Sequence, residues 1–300
     1  MGNLALGVDI GGTKIAVGIG NSDGEILSQQ SCSVPKTEDP EEIFDLVEKL
    51  IQSEMGNLNF DISDSSVADH FACCGVGCGG PMDKAKGIVS PVNIAAWRQF
   101  PLKSRLESKL PFPVFVDNDA KALALGEGWK GEANGKLDYM AMVVSTGVGG
   151  GIVLDGKLLD GNLGNAGHIG HVIVEPTGRQ CGCGSFGCLE AEASGTAIYA
   201  ITGREPKEAP DEIKERCGTM VGRAVASVSN LLDLDLVLVA GSVALGYGEI
   251  FFSAANKEAK LRARLDFSKD VEIRPGGLLD SGPLIGAMSV GWTGLEAGST

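Results

Sequence analysis

No stretch of about 18 consecutive apolar residues occurs in this sequence, so nothing in it reads as a membrane-spanning helix. Positive charge is scarce as well: 25 Lys and Arg stand against 39 Asp and Glu, a formal net charge of −14. A chain without a basic field has nothing to draw in nucleic acid or an anionic bilayer, and both partners are excluded on that ground. A phosphate-bearing ligand would have to be handled locally, by backbone amides and a metal ion. The first residues lack a basic n-region and run straight into a strand pattern, so no signal peptide is expected. Leu6 stands where a myristoylation signal needs Ser or Thr. Histidine is rare too, with three in the whole chain, and two of them, His168 and His171, lie close to a cluster of cysteines.

What is present points to a soluble α/β protein. A length of 300 residues, 43% hydrophobic with 44 glycines, suits two lobes rich in tight turns. Of eight cysteines, three (Cys73, Cys74, Cys78) fall on an apolar strand and the loop after it. Usage of that kind fits a reducing cytoplasm better than a disulfide framework, so a cytoplasmic location is expected. Residues 4–34 read as a three-strand meander, with a turn at Asn21–Gly24. A helix should follow, with Asp39 as N-cap, Pro40 at the first position, Glu42 as capping-box acid and a stripe of Ile43, Leu46, Val47, Leu50, Ile51 and Met55.

Strands are expected at 71–77, 114–116, 139–145, 152–154 and 236–240, with a hairpin turn at Asp155-Gly156. A long helix should span 211–232, with Met220, Val221, Ala224, Val225, Val228, Leu231 and Leu232 on one face, and a last packing helix should begin near Gly282. The run Val8–Val17 can be laid on Val144–Val153 without a gap, each being strand, glycine turn, strand. Such a pair suggests an internal duplication with facing loops.

A tight glycine turn between strands offers consecutive N–H groups as an anion-binding nest. In the first turn Gly11 and Gly12 permit close approach, Thr13 adds a hydroxyl, Lys14 follows, and Asp9 is placed to hold Mg²⁺ through water. Thr146, Gly147 and Gly149 would act likewise in the second. Each turn alone is more often a plain hairpin; facing each other across a cleft, the two would clamp the phosphates of ATP. Neither is a Walker A sequence. The run Gly75–Gly80 matches Gly-x-Gly-x-x-Gly after a strand, but no helix follows, which rules out a dinucleotide fold. Gly79 and Gly80, before Pro81, remain candidates for close approach to a small ligand.

Asp117, Asn118 and Asp119 stand at a strand-to-helix junction, where a polar residue is exposed into a crevice, although helix capping alone would account for two of them. Phosphoryl transfer to an alcohol needs one carboxylate in reach of the attacking hydroxyl. Asp119 is the candidate base and Asn118 a substrate-orienting neighbour. Downstream, His171, Cys181, Cys183 and Cys188 make a full tetrahedral donor set for zinc, with Gly182, Gly184 and Gly187 allowing the backbone to fold around it. Three ordinary thiols on a glycine-rich loop would give the same spacing.

Taken in order, Asp9–Lys14, Asn118-Asp119, Val144–Gly151, Gly167–His171 and Cys181–Glu190 resemble the ROK family (repressors, open reading frames, kinases), and Ala240–Ser242, with Gly241 at its centre, resembles that family's adenosine-contacting turn. The resemblance implies an actin-like ATPase (ribonuclease H-like) duplicated two-lobe α/β fold with an active-site cleft between lobes. The small lobe would be residues 1–117 joined by a C-terminal helix at about 283–300, and the large lobe residues 118–282 with the zinc site. It implies transfer of the ATP γ-phosphate to the 6-hydroxyl of an aldohexose with Mg²⁺, and Asp119 as base. It further implies sugar contacts from Asn93, Asn118, Asp119, His171 and Glu190, and a structural Zn²⁺ on His171, Cys181, Cys183 and Cys188. A homodimer or homotetramer is implied in the same way.

One position departs from the glucose-specific pattern, where a glutamate precedes Gly-His by two residues. Here it is His168, whose imidazole cannot accept from two hydroxyls as a carboxylate does. Family members acting on N-acetylmannosamine carry similar histidines, whereas Asn93–Trp97 resembles a run typical of glucokinases. Glucose is the favoured substrate and N-acetylmannosamine the alternative. A non-catalytic, sugar-sensing regulator of this family would carry a helix-turn-helix before the first strand, for which a strand starting at Leu4 leaves no room.

Overall fold

The computed structural model describes residues 2–298, which divide into two compact units. The first runs to Lys130 and takes in Asp160–Ala166 and the C-terminal stretch from Asp280; the second comprises Gly131–Leu159 and Gly167–Leu279. No helix among the described residues is long and apolar enough to cross a membrane.

In chain order the first unit forms β1 (Leu4–Ile10), β2 (Lys14–Asn21), β3 (Ile26–Ser33), α1 (Pro40–Asn57), α2 (Val67–His70), β4 (Phe71–Cys78), β5 (Met82–Asp83), β6 (Ile88–Val89), α3 (Leu102–Glu107), β7 (Val114–Asn118) and α4 (Asp119–Lys130). Its main sheet has the order β3-β2-β1-β4-β7. The meander β1–β2–β3 is antiparallel, while β4 and β7 run parallel to β1. Every residue of β4 is buried, as expected of a central strand covered on both faces, whereas β3, at the edge, alternates between half-buried and exposed positions.

Helix α1 follows the sequence reading closely, with Ile43, Val47, Leu50, Ile51 and Met55 buried. The Asp39 side chain caps it by accepting the Glu41 N–H at 2.9 Å. The capping box is a half-box, however: the Asp39 N–H donates to Thr37 Oγ1 at 3.0 Å, where Glu42 was expected to reach back.

The second unit forms β8 (Tyr139–Val144), β9 (Val148–Leu154), β10 (Lys157–Leu158), α5 (Leu189–Ala193), α6 (Gly195–Thr202), α7 (Asp211–Leu232), β11 (Leu236–Ala240), α8 (Ser242–Tyr247), α9 (Glu249–Arg262) and β12 (Glu272–Pro275). Its sheet has the order β10-β9-β8-β11-β12, with the first three strands antiparallel and the last two parallel to β8. Order and direction repeat those of the first sheet strand for strand, so the duplication is real at the level of topology. It is not gap-free. The first hairpin closes with Ile10 opposite Ile15 and the second with Val144 opposite Val148, so the second loop is one residue shorter.

The last helix, α10 (Gly282–Gly298), belongs to the first unit, where it packs on β1, β4 and α4. The sequence reading carried it to residue 300; residues 299–300 lie outside the described residues. That reading also placed a lobe boundary at 117/118, whereas contacts put α4 in the first unit, because α4 is sandwiched against α10.

Candidate active site

In the first unit β1, β4 and β7 end together: Ile10 lies opposite Cys78, and Cys78 opposite Asn118. The carboxyl ends of parallel strands are where an α/β sheet opens a crevice, and the candidate residues of this unit gather there. Asp9 is the penultimate residue of β1 and Asp119 the first of α4. Both flank Gly77, where an added Cβ would lie 3.5 Å from Asp9 Oδ1 and 3.5 Å from the Asp119 Cα. Burial, together with the negative charge of Asp119, pushes the Asp9 carboxyl up to about 7, against the pull of Lys14. Burial likewise holds Asp119 above the ordinary aspartate range, opposed by hydrogen bonds from the Ala120 and Asp119 N–H groups and from Asn118. Two carboxylates so placed resist being ionised together, and a cation beside them reverses that resistance.

Asn118 is committed to local structure. Its Oδ1 accepts the N–H groups of Ala120 at 3.1 Å and Lys121 at 3.3 Å, and its amide donates to the Cys78 carbonyl at 3.5 Å. The loop between β1 and β2 is closed by Gly11 N–H donating to Lys14 O at 3.0 Å, with Thr13 and Lys14 exposed. Asn93 packs directly on this loop, so closely that a Cβ on Gly12 would stand 2.4 Å from its own. The neighbouring Trp97 explains that placement. It is fully buried, stacked on Phe100 at 4.4 Å, and its Nε1 donates to the Pro40 carbonyl at 3.0 Å, which anchors the Asn93–Trp97 turn. Gly79 is held near the same strand end by donating to Ile10 O at 3.3 Å, and Gly80 precedes Pro81 through a cis peptide.

In the second unit the loop Ser145–Gly147 joins β8 to β9. Its carbonyls face the start of α6: Ser145 O accepts the Gly195 N–H at 2.7 Å, and Thr146 O accepts both the N–H and Oγ1 of Thr196, at 3.2 and 2.9 Å. The loop's carbonyls are thereby turned back onto the protein, and Thr146 is exposed. Gly149 lies past the loop, in β9 opposite Val143. Gly241, at φ 101°, fits beneath the Val144 carbonyl, and the hydroxyls of Ser145 and Ser242 are 3.0 Å apart. Glu190 comes to the same loop, its Oε2 accepting the Val148 N–H at 3.0 Å.

His171, Cys181, Cys183 and Cys188 place their donor atoms within 4.8 Å of one another. Cys183 Sγ and Cys188 Sγ are 3.7 Å apart, as are Cys181 Sγ and His171 Nδ1. Zinc with ligands at about 2.1–2.3 Å makes a tetrahedron with edges of roughly 3.5–3.8 Å, so these two spacings suit that ion, and the thiol pair is far from the ~2.05 Å of a disulfide. With Nδ1 turned to the thiols, the ring presents Nε2 on its opposite side; His168 lies 6.1 Å away, ring centre to ring centre. Gly184 and Gly187 have φ of 92° and 68°, and a Cβ at Gly187 would strike the Glu175 carbonyl at 1.6 Å. Gly182 has open space around it and is not needed for the turn.

Two charged assemblies escaped the sequence reading. The fully buried Glu192 accepts the Arg179 N–H at 2.6 Å and is paired with the guanidinium groups of Arg179 and Arg216, which ties the cysteine loop to α7. Lys84, Lys121, Asp117 and Asp160 form the other. Asp117 and Lys121 are close in sequence but lie in β7 and α4, so helical spacing does not announce their pairing.

Comparison with known proteins follows the same lines. The family model described as ROK family matches residues 5–291. A glucokinase of Thermotoga maritima is 30% identical, over 95% of this chain and 96% of its own. An N-acetylmannosamine kinase of Pasteurella multocida is 31% identical, over 81% of this chain and 82% of its own. The crystal structure of a ROK family glucokinase from Streptomyces griseus, in complex with glucose and AMPPNP, superposes with a TM-score of 0.81 at 29% identity, covering 97% of this chain and 99% of that one. The fold is thus the actin-like ATPase fold of ROK kinases. On the family model and on these relatives, the chain belongs to the ROK family.

Proposed function

We propose that this protein is an ATP-dependent hexose kinase. The observation that carries the proposal is the placement of Asp119 at the end of β7, beside Asp9 and with its carboxyl raised by burial. A raised carboxyl is a stronger base once ionised, as removal of a proton from an alcohol requires. In the reaction the sugar 6-oxygen attacks the γ-phosphorus in line. The O6–P bond forms as the bond to the β,γ-bridging oxygen breaks, the hydroxyl proton passes to an Asp119 oxygen, and ADP leaves.

Bound Mg²⁺ would neutralise charge on the phosphates, and Asp9 is the residue suited to hold it through water. The loops Gly11–Lys14 and Ser145–Gly147, with Gly149 and Gly241, form the nucleotide-binding set of this reading. Asn93, Asn118, His168, His171 and Glu190 are its sugar-binding set, with Gly79 and Gly80 closing the loop nearby. Zinc on His171 and the three thiolates would leave no open position, so its part is to fix the His171 ring and not to act as a Lewis acid.

Glucose is the preferred acceptor in this reading, supported by the Asn93–Trp97 turn and the glucokinase relatives. His168 and the N-acetylmannosamine kinase relatives support a second acceptor, N-acetylmannosamine. The test is ADP release across glucose, mannose, fructose, N-acetylglucosamine and N-acetylmannosamine, for wild type and Asp119→Asn. One sugar should dominate in the wild type, and the substitution should cost about 10²-fold or more in kcat, the range typical of a lost general base. Sugar-dependent turnover surviving in Asp119→Asn removes Asp119 as the base.

A further inference from the structure

Beneath the strand ends of the first unit lies a closed network of four charged side chains. Lys121 is 1% exposed and Asp117 2%, so one ammonium and one carboxylate are fully enclosed. Lys121 Nζ donates to Asp160 Oδ1 at 2.5 Å and to the Gly164 carbonyl at 3.0 Å, and forms an ion pair with Asp117 Oδ1 at 3.4 Å. Lys84 Nζ reaches Asp117 Oδ2 at 2.6 Å and both oxygens of Asp160 at 2.8 and 2.9 Å. Asp117 Oδ1 also accepts the Asn118 N–H at 2.8 Å. Two positive and two negative charges cancel. Well-packed apolar residues can stabilise an interior as well as such a cluster does, so stability alone does not account for it; a charged network fixes direction and spacing.

The network joins three backbone segments, and each leads to residues of the proposed sugar set. Lys84 follows the Gly79–Pro81 turn. Asp117 and Lys121 bracket Asn118 and Asp119. Asp160 opens the segment Asp160–Ala166, which runs into His168 two residues later. Further hydrogen bonds reinforce the joint: Asn165 Oδ1 accepts the Met82 N–H at 3.1 Å, Asn165 Nδ2 donates to Met82 O at 2.9 Å, and Lys84 N–H donates to Leu163 O at 3.3 Å. Neither phosphate-loop segment takes part in these bonds.

Resting on the kinase reading above, we propose that Lys84, Lys121 and Asp160 are positioning residues for the acceptor sugar, which hold the base-bearing turn, the Gly79–Pro81 turn and the approach to His168 in one fixed arrangement. Asp160 is the residue to test, because its side chain is 45% exposed and its loss leaves room for water, unlike that of Lys121 or Asp117.

In Asp160→Asn the sugar KM should rise about tenfold, since even an ångström of misplacement is costly, while the ATP KM stays within about twofold. Asp160→Glu should recover part of that loss. Unchanged sugar KM in Asp160→Asn, or sugar and ATP KM rising in parallel, overturns the proposal. A second readout does not depend on turnover: amide hydrogen exchange at Asn118, Ala120 and Lys84, whose N–H groups are bonded within this joint, should quicken in Asp160→Asn while that of β8 and β9 stays as in wild type. Exchange unaltered at those three amides also overturns it. A wild type that phosphorylates no sugar defeats the kinase reading instead, and the exchange measurement still decides whether the network holds these segments.

Discussion

Glu190 is bonded to the loop it was not expected to touch: its Oε2 accepts the Val148 N–H at 3.0 Å, and a side chain at Gly147 would meet that same oxygen at 2.9 Å. The family resemblance implies a sugar contact for Glu190. In the structure it also fixes the turn that the proposed function gives to the nucleotide, and it does so two residues after the zinc-ligand candidate Cys188. One carboxylate therefore links the cysteine turn to the phosphate loop within a single unit.

A charge-assisted hydrogen bond of this kind contributes about 1.5–3 kcal/mol. Glu190→Ala should accordingly raise the ATP KM by roughly ten- to a hundredfold, alongside its effect on the sugar. Glu190→Gln, whose amide oxygen can still accept from Val148, should spare most of the ATP KM. Steady-state kinetics with each substrate varied in turn checks both. An ATP KM in Glu190→Ala equal to that of wild type would show that the loop keeps its shape without this support.

The cysteine turn makes the second prediction. Cys183 is the one exposed thiol of the three, so replacing it by Ser removes one donor with little packing loss. Zinc content should fall from about one equivalent to near zero, and Tm should drop, because binding of a structural zinc is part of the folding free energy. Elemental analysis of purified protein with and without a chelator, followed by thermal melts, reads both. Wild-type protein free of zinc would remove the ion from the account.

Close packing in the first unit yields a third. Strand β4 lies so tightly under α10 that a Cβ on Gly75 would stand 1.9 Å from the Ala287 carbonyl and 2.6 Å from the Gly291 nitrogen. Both obstacles are backbone, so relief requires moving the helix. Overpacking a core typically costs about 1–3 kcal/mol and more where backbone must shift. Gly75→Ala should therefore lower Tm by roughly 5 °C or more, or leave the protein insoluble, whereas Gly56→Ala, which meets nothing within 4 Å on α1, should not lower it. Equal melting of the two variants would contradict this packing.

What the sequence made legible was local. Helix α7 matches the expected 211–232 residue for residue, since its stripe is long and Asp233, in the left-handed conformation, ends it. The hairpin at Asp155-Gly156 has both residues at positive φ, 50° and 71°, the I′ geometry that Asp-Gly favours. Failures came where one residue's fate depends on distant ones. Leu231 shares the face of the buried Met220 and Ala224 around α7 but is 79% exposed, so its place in the last turn and not its angle leaves it uncovered. Lys84 and Asp160 are 76 residues apart in sequence, and no short-range pattern announces their pairing. Asp119 could be singled out from sequence as a carboxylate at a strand-to-helix junction; the pairing of its neighbour Asp117 with Lys84 could not.

The pH dependence of stability offers the sharpest check on Asp9. Its carboxyl, ordinarily near 3.8, is pushed up to about 7 in the fold by burial and by Asp119. A folded state that binds a proton more tightly than the unfolded chain loses stability as pH rises, here through the window from about 4 to about 7, and does not regain it above. Asp9→Asn removes the ionisation and with it the penalty. Each pH unit of such a window corresponds to about 1.4 kcal/mol. Reduced for the part of the side chain that water still reaches, the gain at pH 8 is on the order of 1–3 kcal/mol, or roughly 3–10 °C in Tm. At pH 4.5 wild type and variant should melt together. On the proposed function, in which an ionised Asp9 holds hydrated Mg²⁺, the same substitution should abolish most turnover at pH 8, so stability and activity would move in opposite directions. Melting temperatures of the two proteins at pH 4.5, 6 and 8 without nucleotide decide it: a difference independent of pH would mean that Asp9 is ionised in the fold throughout.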